Sequence, residues 1–175
     1  MFYTKQQLID SIVHECTVCK HLYGKLPAGS LEYRPTPGQR STAELLQYLS
    51  ITAIGPIRAF TEGGEAWRSY DEAAAAMRPE DFPAAMDRQI EEVRAAIEGI
   101  SDEMLTTHEV TLPGGRKLPL GAVLIESALK WITAYRMQLF LYAKSAGAEA
   151  IGTRNCWGGV DAPPKKDLVE EAAAE

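Results

Sequence analysis

The stretch His14-Glu15-Cys16-Thr17-Val18-Cys19-Lys20-His21 has the residue types of a zinc site. Two of the chain's 3 histidines and two of its 3 cysteines fall within it. Thiolate and imidazole are the usual ligands of tetrahedral Zn²⁺. The spacing argues against a single shell. A helix turns about 100° per residue, so with Leu8 set at zero, Ile12 falls at about 40°, Cys16 at about 80° and Cys19 at about 20°. His14 falls at about 240° and His21 at about 220°. Side chains aimed to opposite sides of one helix cannot close one shell. The cysteines join the apolar stripe as small buried hydrophobes, and the histidines face outward.

Other chemistry is sparse. No Ser-His-Asp grouping, phosphate-binding glycine loop or nucleotide fingerprint is visible. "EGGE" and "PGGR" read as ordinary turns. His108 has no evident partner. Cys156, in "RNCWGGVD", has no histidine placed to activate it and reads as a packed loop residue.

The elements that position these residues are helical. Leu8, Ile12, Cys16, Cys19 and Tyr23 recur at helical spacing, which predicts a first helix from about Thr4 to Tyr23. Ser41-Thr42-Ala43-Glu44 is a capping box that opens a second helix. Leu45, Tyr48, Leu49 and Thr52 share its face. Gly55-Pro56 should kink or divide it, with helix resuming to about Phe60. A short helix is expected over Tyr70–Met77 and a long one over Pro83–Ile100, with Met86, Ile90, Val93 and Ile97 as its stripe. Met104–Leu118, around Pro113-Gly114-Gly115, reads as a small hairpin or extended loop. The last helix is the longest, about Leu120 to Ala146. Its wide apolar arc suits more than one partner and points to a homodimer.

The chain has 175 residues, 46% hydrophobic and 24% charged, which fits one globular domain. A net charge of −6 argues against a nucleic-acid backbone binder. "MFYTKQQLID" has no apolar h-region, so no signal peptide is expected. The apolar run Leu118–Leu141 is interrupted by Glu126, Lys130 and Arg136 and reads as a buried helix, not a membrane span. The low cysteine count points to a reducing cytoplasm. Residues 1–155 form the expected domain, and 156–175, with "DAPPKKDLVEEAAAE", a loosely structured tail.

Two stretches, "LEYRPTPGQRSTAELLQYLS" (31–50) and "LKWITAYRMQLFLYAKSAG" (129–147), carry a resemblance. The Arg-Pro-x-Pro-Gly loop before a capped "ELL" helix is similar to the DinB/YfiT-like family. So is Arg136-Met137-Gln138-Leu139 followed by Tyr142 and Gly147. The resemblance covers roughly residues 1–150 and implies an all-α four-helix bundle. It also implies a divalent metal on three histidines, serving metal-dependent hydrolases or thiol-dependent transferases and isomerases. Those three positions here are Tyr48, Trp131 and Tyr135. Trp has no lone pair for a metal, and neutral Tyr is a poor ligand.

The resulting expectation is a DinB-like protein with no metal and no cofactor. Tyr48, Trp131 and Tyr135 either fill the former pocket as core or line a pocket for a small apolar or cationic ligand. Thr52, one turn past Tyr48, could add a hydroxyl. A thiol-dependent transferase or hydrolase-like enzyme with a rebuilt site stands as the alternative. Arg136 should lie at the flank of the apolar arc, where a buried or half-buried arginine needs an acceptor. Arg136 and Gln138 read as structural, and Glu126–Lys130 as a surface pair of little worth.

Overall fold

Thr4 starts the first helix. Its hydroxyl accepts the Gln7 N–H, and the Gln7 side chain accepts the Thr4 N–H in return, so two free donors are satisfied reciprocally. Helix α1 then runs Lys5–Tyr23. The computed structural model describes residues 3–163. The Ser41 capping box forms as its sequence demands. The Ser41 N–H donates to Glu44 Oε2 at 2.6 Å, and the Glu44 N–H donates to Ser41 Oγ at 3.2 Å. That backbone bond, ahead of nearby Arg34, holds the Glu44 carboxyl below its ordinary range.

Helix α2 spans Thr42–Leu49 and α3 spans Ile54–Glu62. The division falls just ahead of Gly55-Pro56. A proline ring conflicts with the carbonyl four residues earlier, here that of Thr52, but is tolerated in a first turn. Pro56 therefore sits in the first turn of α3 and forces the break onto residues 50–53. Gln89 of α5 repairs that break. Its side-chain oxygen accepts the N–H groups of Ala53 at 2.9 Å and Ile54 at 3.3 Å. Its amide nitrogen donates to the Leu49 carbonyl at 3.0 Å. One buried amide thus serves the loose ends of both helices.

Gly63, at φ 104°, turns the chain directly into α4, Gly64–Ala75. This helix starts six residues before the expected Tyr70 and ends short of Met77. Helix α5 covers Phe82–Glu98. A shorter α6, Asp102–Thr107, is capped by Ser101, so the first part of the segment expected to be extended is helical. The hairpin follows, with β1 Glu109–Thr111 antiparallel to β2 Lys117–Pro119 and Val110 opposite Leu118. The last rod is continuous but not uniform: α7 Leu120–Leu124, a π-helical turn Ile125–Leu129, then α8 Lys130–Ser145.

The architecture is mostly helical, all-α in class, with one small two-stranded sheet. Helix α1 packs against α5 and α8, α2 against α8, and α3 against α4 and α5. Ile12, Cys16, Cys19, Leu45, Leu49, Phe82, Met86, Val93 and Leu139 sit at the centre of the core. Among the described residues no helix is long and apolar enough to cross a membrane.

The chain after α8 departs from the expected loose tail. Residues Arg154–Gly158 form a π-helical turn that packs on α1, with Asn155 and Cys156 buried. The domain limit expected at 155 falls inside this turn. Gly159 makes the contact possible: its φ is 63°, and a Cβ there would lie 3.3 Å from the Val18 Cα. The tail from residue 164 onward lies outside the described residues.

Candidate functional site

Tyr48 on α2 and Tyr135 on α8 meet edge to face, with ring centroids 4.7 Å apart. Trp131 does not complete a triangle with them. Instead Trp67 of α4 lies 6.5 Å from Tyr48 and 6.3 Å from Trp131, so the rings form a chain: Tyr135, Tyr48, Trp67, Trp131. Trp131 remains 38% exposed. Edge-to-face pairs at these distances are favourable beyond the area they bury. Thr52 is fully buried and its hydroxyl donates to the Tyr48 carbonyl at 2.6 Å. That helical back-bond uses the proton the sequence left open for a ligand.

Gly55 makes room for this chain of rings. A Cβ on Gly55 would lie 2.7 Å and 2.8 Å from two carbons of the Trp67 ring. Gly→Ala in a helix ordinarily gains up to about 1 kcal/mol. Overpacking costs about 1–3 kcal/mol and wins here. Gly55→Ala is expected to lower stability by about 1 kcal/mol and to weaken the near-UV circular dichroism of the tryptophans. An unchanged near-UV spectrum with raised stability would show that Trp67 does not lean on Gly55.

Arg40 covers the cluster. Its guanidinium carbon lies 4.1 Å from the Tyr48 ring centroid and 5.8 Å from that of Tyr135. The "RMQLFLY" motif of α8 holds the loop that presents it. Gln138 Nε2 donates to the Tyr142 hydroxyl at 2.6 Å, and that hydroxyl donates to the Arg40 carbonyl at 3.0 Å. Tyr142 also meets Tyr33 edge to face at 5.5 Å. Burial, followed by the neighbouring Tyr135 phenol, pushes the Tyr48 phenol up to about 12. It stays protonated at neutral pH.

A groove of about 390 Å³ opens beside the cluster. The loop of residues 34–40, the exposed side of α2 and Asp71, Ala74 and Ala75 of α4 line it, and Tyr48 is the ring it touches. Trp131, Tyr135 and Thr52 are not among its lining residues. The four candidate residues therefore do not share one cavity wall. Tyr48 borders the groove and Tyr135 backs it.

Arg136 stands apart from this site and is fully buried. Its Nε donates to Glu15 Oε2 at 2.7 Å, and its Nη1 donates to the Cys156 carbonyl at 2.7 Å and Sγ at 3.1 Å. The Trp157 ring lies over it at 4.4 Å. Nη2 is buried with no hydrogen-bond partner among the described residues. The C-terminal turn thus closes over an ion pair between the first helix and the last.

The opening cysteine–histidine stretch serves the same closure. Cys16 and Cys19 are wholly buried, and burial pushes the Cys16 thiol up to about 12 and raises that of Cys19 too. Burial also raises the Cys156 thiol. None of these is a ready thiolate. His14 Nε2 pairs with the Trp157 carbonyl at 2.7 Å. His21, expected outside, is half-buried, with Nε2 3.0 Å from Asn155 Nδ2. Among the described residues no three His, Cys, Asp or Glu side chains converge as metal ligands.

Desolvation, only partly offset by Asp161, lowers the His21 pKa below 6.5. A depressed folded pKa gives stability that is present above the unfolded value and lost as pH falls. The melting temperature is expected to drop between pH 7.5 and pH 5.5 (roughly one unit either side of that value) by more in the native chain than in His21→Gln. Equal drops in both would remove His21 from the closure.

Residue type alone did not point to Trp67, Arg40, Glu15 or Gln89. No family model matches the chain, and no curated protein matches it.

Proposed function

We propose that the chain is a DinB/YfiT-like four-helix bundle that works as a small-ligand binding protein without the family's metal. In this reading the aromatic chain is a packed plug, and the groove beside Tyr48 and Arg40 receives the ligand. The observation that carries it is the Arg40 guanidinium 4.1 Å from the Tyr48 ring centroid. The chain supplies its own cation to the ring face, so a cationic ligand or a divalent ion would meet a like charge there. The protonated Tyr48 phenol is a poor general base, which weighs against a rebuilt enzyme. Trp131, Ile125 and Leu141, all exposed along the last rod, support the homodimer as part of the reading. Sedimentation equilibrium that returns a monomer would remove it.

The test is metal content after incubation with Zn²⁺ or Ni²⁺ and a wash with a weak chelator. The native chain is expected to keep no stoichiometric ion. A variant carrying Tyr48→His, Trp131→His and Tyr135→His, checked for helicity, is expected to gain one if the family geometry holds. One ion per native chain, lost in Tyr48→Phe, would overturn the reading.

A further inference from the structure

Four charged side chains line the groove beside Tyr48, Arg34, Arg40, Glu44 and Asp71, and two of them are already paired. Arg34 donates to the Gln39 carbonyl at 2.9 Å and lies 3.4 Å from Glu44 Oε2. Glu44 is further engaged by the Ser41 N–H. Gln47 Nε2 donates to the carbonyls of Ala75 and Met77. Gln39 Oε1 accepts from the Thr36 hydroxyl. Two charged residues of the lining remain, Arg40 from the loop and Asp71 from α4. Neither forms an ion pair within 4.0 Å among the described residues, with each other or with a third group.

Opposite charges that line one groove without touching define a shape. An anion alone would satisfy Arg40 and leave Asp71 facing it. A cation alone would do the reverse. A molecule with both charges satisfies both. Arg40 suits the anionic end, because a guanidinium resting on a ring keeps its fork of N–H donors for a carboxylate. Asp71 suits a protonated amine. Both charges act on the Tyr48 phenol, Arg40 lowering its pKa and Asp71 raising it, so both lie within electrostatic reach of one ring. The groove volume of about 390 Å³ is near the lower end for small-molecule sites. Ala74 and Ala75, with short side chains, form part of its wall.

We infer that this groove binds a small zwitterion, an α-amino acid or a compound built like one, with its carboxylate on Arg40 and its ammonium on Asp71. The inference rests on the groove being a ligand site, as proposed above. Gln138 and Tyr142 become positioning residues, since they fix the loop that carries Arg40. A simple carboxylate held by Arg40 alone is the rival outcome.

The experiment titrates the full chain with each of the common L-amino acids to about 10 mM, read by tryptophan fluorescence and thermal shift. Any that binds is compared with its N-acetyl and methyl-ester forms. The expected result is binding by at least one amino acid, weakened about tenfold or more by either modification. Arg40→Gln and Asp71→Asn, each of normal helicity, should each weaken it by about tenfold. Asp71→Asn should spare binding of the methyl-ester form least, since that form keeps only the amine. Three results overturn the inference: no amino acid binds, the N-acetyl form binds as well as the parent, or neither substitution changes affinity. None of these touches the metal analysis, so failure here is separable from failure of the metal-free reading.

Discussion

Arg136→Met is expected to remove about 3–5 kcal/mol of stability, because it leaves the Glu15 carboxylate buried without its partner. Arg136 has no exposed surface, and the Glu15 side chain is 12% exposed. Attraction between such charges roughly offsets what it costs to bury them, so the intact pair adds little. Breaking it is another matter, since the remaining charge keeps its desolvation cost. The same substitution also takes the Nη1 donor from the Cys156 carbonyl and a stacking partner from Trp157. The C-terminal turn should loosen, and Trp157 fluorescence should shift to the red. Urea denaturation of Arg136→Met, Glu15→Leu and the double variant checks this. The double variant should recover much of the loss, since no charge is then stranded. A single-variant loss below about 1 kcal/mol would mean that Glu15 finds water and the pair is ordinary surface chemistry.

Gln89→Leu carries the second large effect. The substitution keeps the volume but strands three buried backbone groups: the Ala53 and Ile54 N–H groups and the Leu49 carbonyl. Each unsatisfied buried group costs about 1–3 kcal/mol. A total of about 3 kcal/mol or more is expected, well above the ordinary effect of a point substitution. Hydrogen exchange at Ala53 and Ile54 should speed up together, while amides of α1 slow to exchange in the native chain stay slow relative to global unfolding. A loss of about 1 kcal/mol, with both amides still protected, would show that the break between α2 and α3 is held by packing.

Much of the helical layout was legible, and for local reasons. The capping box at Ser41 and the stripe through Leu8, Ile12, Cys16 and Cys19 are short-range signals, and each needs only a few neighbouring residues. What was not legible depended on other elements. Trp67, Tyr70, Ala74 and Met77 do share one helical face, but Gly63-Gly64 masked a helix that starts at Gly64 itself. Trp67 consequently entered the aromatic chain unannounced. Arg40 looked like one more loop arginine, and only the fold of residues 34–40 over Tyr48 gives it a role. Glu15 was the signal passed over. At about 340° on the helical wheel it stands between Leu8 at zero and Leu22 at about 320°, both buried, and a carboxylate there requires a buried partner. Arg136, set in the apolar last helix, was that partner. The histidines faced away from the core as their angles dictated. Nothing local revealed that the C-terminal turn would cover that face.

The Glu15–Arg136 pair has a consequence for the order in which the chain can fold as it is made. Its two ends are 121 residues apart. At a synthesis rate of about 5–20 residues per second, Glu15 emerges several seconds or more before its partner. Through that interval the first helix carries a carboxylate within its apolar stripe, and burying it early would strand a charge. The face of the helix that carries Glu15 therefore stays open to water through that interval, whatever α1 packs against elsewhere. Closure waits for the last helix and then for residues 154–158, whose turn lays Trp157 over the guanidinium. A nascent chain stalled with Arg136 still in the ribosomal tunnel should leave the Glu15 face of α1 in reach of proteases, and one carried on a C-terminal extension until residue 160 has cleared the tunnel should not.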